Sequence, residues 1–246
     1  MTILFGLAVL LLALLGTPLF VIISAIAMVS FYGIDIDSSV VMVEMYRMAT
    51  APTLIAIPLF TFAGYVLAES NAPKRLTNLA NAFLGWMPGG LAVVALVSSA
   101  FFTAFTGASG VTIIALGGLL YPILLKEKYP ERFSLGLLTS SGSIGLLFPP
   151  SLPIILYGLV AKVSIDKLFI AGILPGIMLV TFVSFYSIRK GLYELVPRTE
   201  FRINKAYRAL RDSIWEIPLP FLILGGIYGG IFTVTEAAAI TAFYVI

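Results

Sequence analysis

Polar interruptions divide the chain into seven apolar runs, and several of them do not match the length of a simple membrane-spanning helix. The runs cover Ile3–Phe31, Pro52–Ala68, Leu91–Leu125, Phe133–Val160, Leu168–Ile188, Ile217–Phe232 and Ala237–Ile246. A simple span needs roughly 20 apolar residues. The pattern therefore predicts an all-α polytopic membrane protein in which some helices are broken. The first run is interrupted at Gly16-Thr17-Pro18, which predicts one kinked helix or two short ones.

The run Leu91–Leu125 is too long for one span and too short for two spans with a loop. Its centre is small and polar, with Thr103, Thr106, Gly107, Ala108, Ser109, Gly110 and Thr112. We predict a re-entrant hairpin whose tip lies inside the membrane, where non-helical backbone is tolerated only against protein or a cavity. Glycines let a ligand approach the backbone, and hydroxyl and carbonyl oxygens can coordinate sodium. Close helix packing is the alternative explanation, because small residues also line helix–helix contacts.

The run Phe133–Val160 repeats this pattern. Its middle reads Thr139-Ser140-Ser141-Gly142-Ser143-Ile144-Gly145, followed by Pro149-Pro150-Ser151. Two adjacent prolines remove backbone donors and block the preceding helical turn, so we predict a discontinuous helix. Packing alone does not require a double proline, which favours a binding role for this segment.

Basic residues occur in three groups that predict an orientation in the membrane. The groups are Lys74 with Arg75; Lys126, Lys128 and Arg132; and Arg189, Lys190, Arg198, Arg202, Lys205, Arg208 and Arg211. The positive-inside rule places all three in the cytoplasm, so both ends of the hairpin lie on that side. The segment Asp35–Arg47 and the short loop at Lys162–Lys167 are predicted to lie outside.

Two amphipathic stretches are predicted to be interfacial helices. Their apolar faces consist of Leu76, Leu79, Ala80 and Phe83 in the first, and of Ile203, Tyr207, Leu210 and Ile214 in the second. Such helices lie along the membrane surface, where they can brace a moving part against a fixed one. The alternative is that they are ordinary amphipathic connectors.

Composition excludes most enzyme classes. The chain is 60% hydrophobic and 11% charged, against about 25% charged in a soluble domain. It has no cysteine and no histidine, which removes the usual nucleophile, metal ligand and general base. Gly107-Ala108-Ser109-Gly110 matches the G-x-S-G of intramembrane serine proteases, but these enzymes need a histidine base. A serine–lysine dyad would instead need a lysine at membrane depth, and the nearest candidate, Lys162, falls in a loop. No Walker A sequence and no basic patch interleaved with aromatics occur, so we expect no enzyme, no cofactor and no nucleic-acid partner. Broken, hydroxyl-rich helices suit a carrier better than a pore, although a pore is harder to exclude.

At these motifs the sequence resembles the large membrane subunit of the TRAP (tripartite ATP-independent periplasmic) transporters. The resemblance covers essentially the whole chain, and its specificity comes from the order and spacing of several blocks. The blocks are Ile57–Phe60 with Ala63-Gly64, Met87–Ala92, Thr106-Gly107 through Ala115–Gly117, Ser140–Ser151 with Leu156–Gly158, Ala171–Gly176, and Gly225–Ala239.

The resemblance implies an elevator-type, sodium-coupled secondary transporter with an inverted-repeat fold, in the bacterial inner (cytoplasmic) membrane. A periplasmic substrate-binding protein would deliver a small organic anion, and a small membrane subunit would widen the scaffold. By this analogy residues 1–90 are scaffold helices with the first interfacial arm. Residues 91–165 are the first half of the transport domain, with the hairpin at 91–125 and the discontinuous helix at 133–160. Residues 166–246 hold a scaffold helix, the second arm and the start of the next repeat.

The resemblance also implies the site residues. Substrate and sodium would contact the hairpin tip and the broken helix: Thr106, Gly107, Ser109, Gly110, Ser140, Ser141, Gly142, Ser143, Gly145, Pro149, Pro150 and Ser151. Sodium would be held through Thr106, Ser109, Ser140 and Ser141. Thr235 and Glu236 are possible contributors to a second site, although a threonine at 233 or 235 that caps the following helix, with Glu236 in its first turn, explains that segment adequately.

Two departures and the length of the chain qualify the resemblance. The family often has an acidic residue where this chain has Thr112, and a proline where it has Val234. Family members are also considerably longer, so we expect the 246 residues to be the N-terminal portion of the fold. The alternatives are a stand-alone elevator-type organic anion carrier that needs no binding protein and a non-transporting membrane scaffold subunit.

Overall fold

The computed structural model describes residues 2–34, 36–37, 39–196 and 200–246, and in these ranges every regular element is a helix. The α-helices are α1 (Thr2–Leu14), α2 (Leu19–Tyr32), α3 (Ser39–Ala49), α4 (Ala56–Glu69), α5 (Ala72–Leu84), α6 (Gly90–Thr106), α7 (Ser109–Lys126), α8 (Glu131–Ile144), α9 (Leu152–Ala161), α10 (Ile165–Tyr193), α11 (Ile203–Asp212), α12 (Pro218–Tyr228) and α13 (Val234–Tyr244). Short 3-10 helices cover Pro52–Ile55 and Gly145–Leu147. The prediction of an all-helical protein is confirmed.

Residues 1–51 form one compact unit, which holds α1 to α3. The first apolar run is divided where the sequence indicates, because α1 ends at Leu14 and α2 follows Pro18. Gly16 lies between them with φ of 79°, in the left-handed region that glycine tolerates. The backbone N–H of Ser39 donates to the Asp37 carboxylate at 2.7 Å before α3, a helix that the apolar pattern did not indicate. Asp35 of the predicted external segment lies outside the described residues.

Residues 52–246 form the second unit, and most of the apolar helices lie in it. Among the residues that the structure describes, three helical segments are long and apolar enough to cross a membrane: Pro52–Glu69, Ser109–Lys126 and Ile165–Tyr193. A fourth candidate is the pair Glu131–Leu147 and Leu152–Ala161, whose axes are bent by 43°. Helix α10 begins at Ile165, so the predicted loop at Lys162–Lys167 is shorter than the sequence suggested and Lys167 lies in the first helical turn.

Two apolar clusters hold the second unit together. One joins the hairpin α6–α7 to α8 through Leu96, Phe102, Leu116, Leu120, Leu124, Leu137 and Leu138. The other joins α4, α9, α12 and α13 through Ala56, Phe60, Ile155, Leu219, Ile223, Ala237 and Ala238. Phe105, near the end of α6, belongs to the second cluster. The hairpin therefore contacts both clusters, one along its length and the other close to its tip.

Two contacts between helices lie close to the three basic groups of the sequence. Arg75 forms an ion pair of 3.0 Å with Glu216, which links the start of α5 to the end of the α11 region. At the base of the hairpin Gly89 packs on Ser187 and Gly191 near the end of α10, and Tyr129 lies against Gly191. Burial raises the pKa of Tyr129 to about 12, so its hydroxyl stays neutral at physiological pH. The cytoplasmic location of these groups remains a prediction, and Arg198 lies outside the described residues.

The two amphipathic stretches are helical, as α5 and α11. Leu76 of α5 is buried in the hairpin cluster. Helix α11 instead buries Ala206 and Ala209, which lie on the side that packs against α5. Its predicted apolar face stays exposed, with Ile203, Tyr207, Leu210 and Ile214 all at least 47% accessible. An exposed apolar face on a basic helix is what an interfacial helix requires.

Candidate functional site

The hairpin turns at Gly107 and Ala108, between α6 and α7, where the sequence places its tip. Gly107 has φ of 62°, and its N–H donates to the carbonyl oxygen of Thr103 at 2.8 Å. This left-handed residue ends α6, and α7 begins two residues later at Ser109. The turn thus reverses the chain within two residues. That this turn lies at membrane depth remains a prediction.

The second predicted break lies between α8 and α9. Helix α8 ends at Ile144, a short 3-10 helix follows, and α9 begins at Leu152 after Pro149, Pro150 and Ser151. The peptide bond between the two prolines is cis. Ser151 precedes the first residue of α9, but its hydroxyl makes no capping hydrogen bond.

The structure brings the two breaks into contact. A Cβ atom added to Gly107 would overlap the side chain of Leu152, so the hairpin tip packs directly on the first turn of α9. A Cβ atom at Gly142 would lie 2.8 Å from Cγ1 of Ile113 and 3.3 Å from the carbonyl oxygen of Ser109. Both of these glycines permit a close approach that a larger residue would prevent.

The predicted site residues on α8 divide into two sets, because neighbouring residues of a helix point in different directions. Ser141, Gly142 and Gly145 are buried against the hairpin. Ser140 and Ser143 are exposed on another face. The hydroxyls of Ser140 and Ser141 donate to carbonyl oxygens of their own helix, at 2.7 and 3.0 Å respectively. Their lone pairs therefore remain available to a cation.

Residues of the hairpin tip divide in the same way. Thr106 and Gly107 are buried, Ser109 is half-buried, and Gly110 is exposed with no atom near its missing side chain. Thr106 Oγ1 lies 3.2 Å from Thr112 Oγ1, so the two buried hydroxyls share a hydrogen bond. This pair ties the end of α6 to the first turns of α7.

Three residues that the sequence did not place in the site lie beside the two breaks. Thr103 is fully buried, and its hydroxyl has no partner among the described residues. A Cβ atom at Gly145 would lie 2.5 Å from Thr103 Cβ, so this hydroxyl-bearing side chain adjoins the break after α8. Gly64 of α4 packs on the tip, since its Cβ atom would lie 2.5 Å from Thr106 Cα. Thr112 bonds Thr106, although the sequence named it only among the polar residues of the hairpin centre and as a departure from the family.

Buried hydroxyls without a partner are costly in an apolar environment, and water or a ligand can satisfy them. The described structure has such hydroxyls elsewhere too, at Ser98, Ser187 and Ser213, so position beside the breaks is what singles out a candidate. Ser151, which the sequence did predict, shares this property with Thr103. Both side chains adjoin the segment between α8 and α9. The double proline and the glycine spacing signalled the break, but nothing in the local pattern distinguished Thr103 from the other hydroxyls of α6.

Glu236 serves as part of a helix cap. Its carboxylate accepts from the Thr233 N–H at 2.8 Å and from the Thr233 hydroxyl at 2.9 Å, while the Glu236 N–H donates to Thr233 Oγ1 at 3.3 Å. These reciprocal bonds form a capping box at the start of α13. Thr235 Oγ1 lies 3.5 Å from the carbonyl oxygen of Pro52. A second-site role for these two residues remains a prediction, because the cap accounts for the described contacts of Glu236.

A family model described as "Tripartite ATP-independent periplasmic transporter, DctM component" matches residues 4–246. The chain belongs to this family. The DctM-component match begins near the N-terminus and continues through α13, so it includes the hairpin, both breaks and the capping box.

Individual DctM-family proteins support the same assignment. The chain is 35% identical over 240 residues to the ectoine TRAP transporter large permease protein TeaC of Halomonas elongata, covering 96% of this chain and 56% of the relative. It is 37% identical over 243 residues to the ectoine/5-hydroxyectoine large permease protein UehC of Ruegeria pomeroyi, covering 97% of this chain and 56% of the relative. It is 34% identical over 206 residues to the C4-dicarboxylate large permease protein DctM of Rhodobacter capsulatus, covering 78% of this chain and 47% of the relative. The chain thus spans about half the length of the curated relatives it matches.

The two departures from the DctM pattern have clear structural settings. Thr112 is fully buried and bonded to Thr106 beneath the hairpin tip. Val234 occupies the first position of α13, directly after the capping residue Thr233. Proline is favoured at that position of a helix, and here valine begins the helix with the capping box intact.

Proposed function

We propose that the chain is part of the large permease subunit of a sodium-coupled TRAP transporter that imports a small organic anion across the bacterial inner membrane. A periplasmic substrate-binding protein would deliver the solute, and a small membrane subunit would complete the complex. The observation that carries this proposal is the contact between two broken helices at Gly107 and Leu152, beside buried hydroxyls that have no described partner. Non-helical backbone at membrane depth is typical of transporter binding sites.

The hydroxyls at this junction support sodium as the coupling ion. Of the ligands proposed from sequence, Thr106 and Ser109 lie at the hairpin tip and Ser141 is buried on the face of α8 that packs against the hairpin, whereas Ser140 is exposed on another face. The buried hydroxyl of Thr103 is a further candidate. Hydroxyl and carbonyl oxygens are the ligands that hard cations prefer. The last carbonyl groups of a helix have no helical partner in general, so those that precede each break can offer oxygens to a cation.

The substrate class is a solute with a carboxylate or similar acidic group. The relatives' printed names include ectoine, C4-dicarboxylate and isethionate, and each of these solutes carries a carboxylate or a sulfonate. In the apolar runs of this chain no arginine is available to clamp such a group. The first turn of α7 follows the hairpin tip directly, and its backbone N–H groups are suited to an anion.

An elevator motion is supported by incomplete packing along α6. A cavity of about 290 Å³ lies between parts of α6, α10 and α12, with Val97, Phe101 and Pro220 among its lining residues. A second cavity of about 460 Å³ lies between α5, α6 and α12. Both are lined almost entirely by apolar side chains. Apolar linings of this kind suit a hairpin that slides against its neighbours, because few hydrogen bonds must break.

The transport proposal predicts uptake that needs both sodium and the binding protein. Full-length permease, its small subunit and its binding protein are reconstituted in proteoliposomes, and uptake of labelled C4-dicarboxylate, isethionate and ectoine is measured with and without an inward sodium gradient. We expect uptake of one of these solutes only with sodium and binding protein. Uptake without the binding protein would instead indicate a stand-alone carrier, and uptake without sodium would contradict the coupling.

Replacing Thr103 with valine tests the buried hydroxyl. Valine keeps the shape but removes the oxygen, so we expect the sodium concentration for half-maximal uptake to rise at least about tenfold, the equivalent of one hydrogen bond to a charged group. Thermal stability should stay equal or rise, because an unsatisfied buried group disappears.

The matched control for that variant is Thr241→Val. Thr241 is equally buried, but its hydroxyl donates to the Ala237 carbonyl oxygen at 2.7 Å, in α13. It should leave the sodium dependence of uptake unchanged. If Thr103→Val also leaves it unchanged, Thr103 is not a sodium ligand and the proposed donor set reduces to the residues found from sequence.

A further inference from the structure

A polar crevice of about 250 Å³ lies between α5 and α11, outside the hairpin and the two breaks. Its lining residues are Asn78, Asn81, Ala82 and Trp86 from α5 and the segment after it, and Glu200, Phe201, Arg202, Lys205, Arg208, Ala209 and Asp212 from α11 and the segment before it. This cavity differs in character from the two apolar cavities along α6. It has no part in the transport proposal above.

The crevice presents exposed hydrogen-bond donors that have no protein partner among the described residues. Arg202 is bonded to Glu200 at 2.8 Å. In the part of the chain that the structure describes, Lys205 and Arg208 form no ion pair, and the side-chain amides of Asn78 and Asn81 form no hydrogen bond. The lining carries three cations against two carboxylates, with one pair mutually neutralised. The remaining unbonded groups are two cations, two amides and one carboxylate, Asp212.

The direction of the crevice follows from the faces of α11. Lys205, Arg208 and Asp212 are spaced three and four residues apart, so they share one side of the helix. Ile203, Tyr207 and Leu210 lie on the opposite side and are exposed. With the apolar face in the bilayer, the basic side lies at the level of the lipid headgroups and the adjoining water.

Trp86 gives a second indication of this level. Its indole N–H donates to the carbonyl oxygen of Phe83 at 2.8 Å, and half of its surface is exposed in the crevice. Tryptophan is enriched where membrane meets water, because its ring is apolar and its N–H is polar. The crevice therefore combines donors, positive charge and an interfacial aromatic residue.

We propose that this crevice binds a phosphate group, carried either by an anionic phospholipid or by a soluble phosphate. Lys205 and Arg208 neutralise the charge, and Asn78 and Asn81 donate to the remaining oxygens. A phosphate has enough acceptor oxygens for donors that arrive from two helices, and arginine matches its geometry well. A bound phosphate would also join α11 to α5, two helices that otherwise meet through the small residues Ala206 and Ala209.

The test measures phosphate binding directly and does not require transport. Detergent-purified full-length permease with its small subunit is titrated with phosphatidylglycerol by native mass spectrometry, and with inorganic phosphate by calorimetry. In Lys205→Gln/Arg208→Gln, two interfacial charges are lost, and we expect binding to weaken about thirtyfold. Diacylglycerol, which lacks the phosphate, should not compete.

The control variant is Lys126→Gln/Lys128→Gln, which removes two exposed cations beside the base of the hairpin and outside the crevice. It should bind as the unaltered permease does. If Lys205→Gln/Arg208→Gln weakens the binding of phosphatidylglycerol alone, the crevice is assigned to a lipid headgroup. If it weakens the binding of inorganic phosphate, the crevice is assigned to a soluble ligand. If neither ligand binds, or the two double variants weaken binding equally, the proposal is overturned. Thermal unfolding of both variants verifies that each is folded.

Discussion

Replacing Gly145 with alanine is expected to destabilise the permease by about 1–3 kcal/mol, the usual result of adding a methyl group where there is no room. The new Cβ atom would lie 2.5 Å from the carbonyl oxygen of Ala100 and 2.5 Å from Thr103 Cβ. The first of these atoms belongs to the backbone of α6 and cannot rotate away. The gain in helix propensity from glycine to alanine is at most about 1 kcal/mol, so the overlap decides the sign.

Thermal unfolding of full-length permease with its small subunit measures this effect. The matched control is Gly118→Ala in α7, where no atom lies within 4 Å of the added methyl group. That variant should unfold at the same temperature as the unaltered protein or slightly higher. A Gly145 variant as stable as the Gly118 variant would mean that α6 and the end of α8 are not in close contact.

The two breaks could be predicted from sequence because local residues encode them. Gly107 ends α6 because glycine readily adopts a left-handed conformation, and the double proline prevents α8 and α9 from forming one helix. Both are local effects, encoded within a few residues. The capping box at Thr233 is local in the same sense, since its two partners are three residues apart.

The packing partners of the breaks could not be predicted in this way. Gly64 lies 42 residues before Thr106, the tip residue that it contacts, and the isolated hydroxyl of Thr103 resembles every other hydroxyl of α6 in sequence. Their significance depends on which helix faces which. Similarly, the pattern identified the apolar face of α11, but α11 packs on α5 through Ala206 and Ala209, because small side chains allow two helices to approach closely.

The division of Ser140–Gly145 into two faces is a further consequence of helical geometry. A run of hydroxyls and glycines reads as one motif in sequence, but 3.6 residues per turn distribute it around the helix. Ser141 therefore lies against the hairpin, and Ser140 and Ser143 are exposed. Composition is enough to locate the segment. The position of each residue around the helix decides which hydroxyl oxygens can meet at one ion.

Replacing Arg75 with alanine is expected to destabilise the permease by about 2 kcal/mol, through the carboxylate that it leaves behind. Glu216 is only 5% exposed, and Arg75 Nη1 lies 3.0 Å from its Oε1. The other carboxylate oxygen, Oε2, is buried without a hydrogen-bond partner in the described structure. Removing one partner of a fully buried pair costs about 3–5 kcal/mol. Because the Arg75 side chain is 42% exposed, water can partly replace it, and we expect a smaller loss.

A double-variant cycle separates this buried charge from the attraction between the two groups. Glu216→Gln alone keeps the shape and removes the charge, so it should cost less than Arg75→Ala, and adding it to Arg75→Ala should restore part of the lost stability.

The comparison pair is Arg202 with Glu200, whose side chains are 63% and 78% exposed. Arg202→Ala should change the unfolding free energy by at most about 1 kcal/mol, the usual range for an exposed pair. Equal losses for Arg75→Ala and Arg202→Ala would show that Glu216 is not effectively buried in the membrane-embedded protein. A larger loss at Arg75, partly recovered in the double variant, would establish that this pair fixes α5 to the segment between α11 and α12.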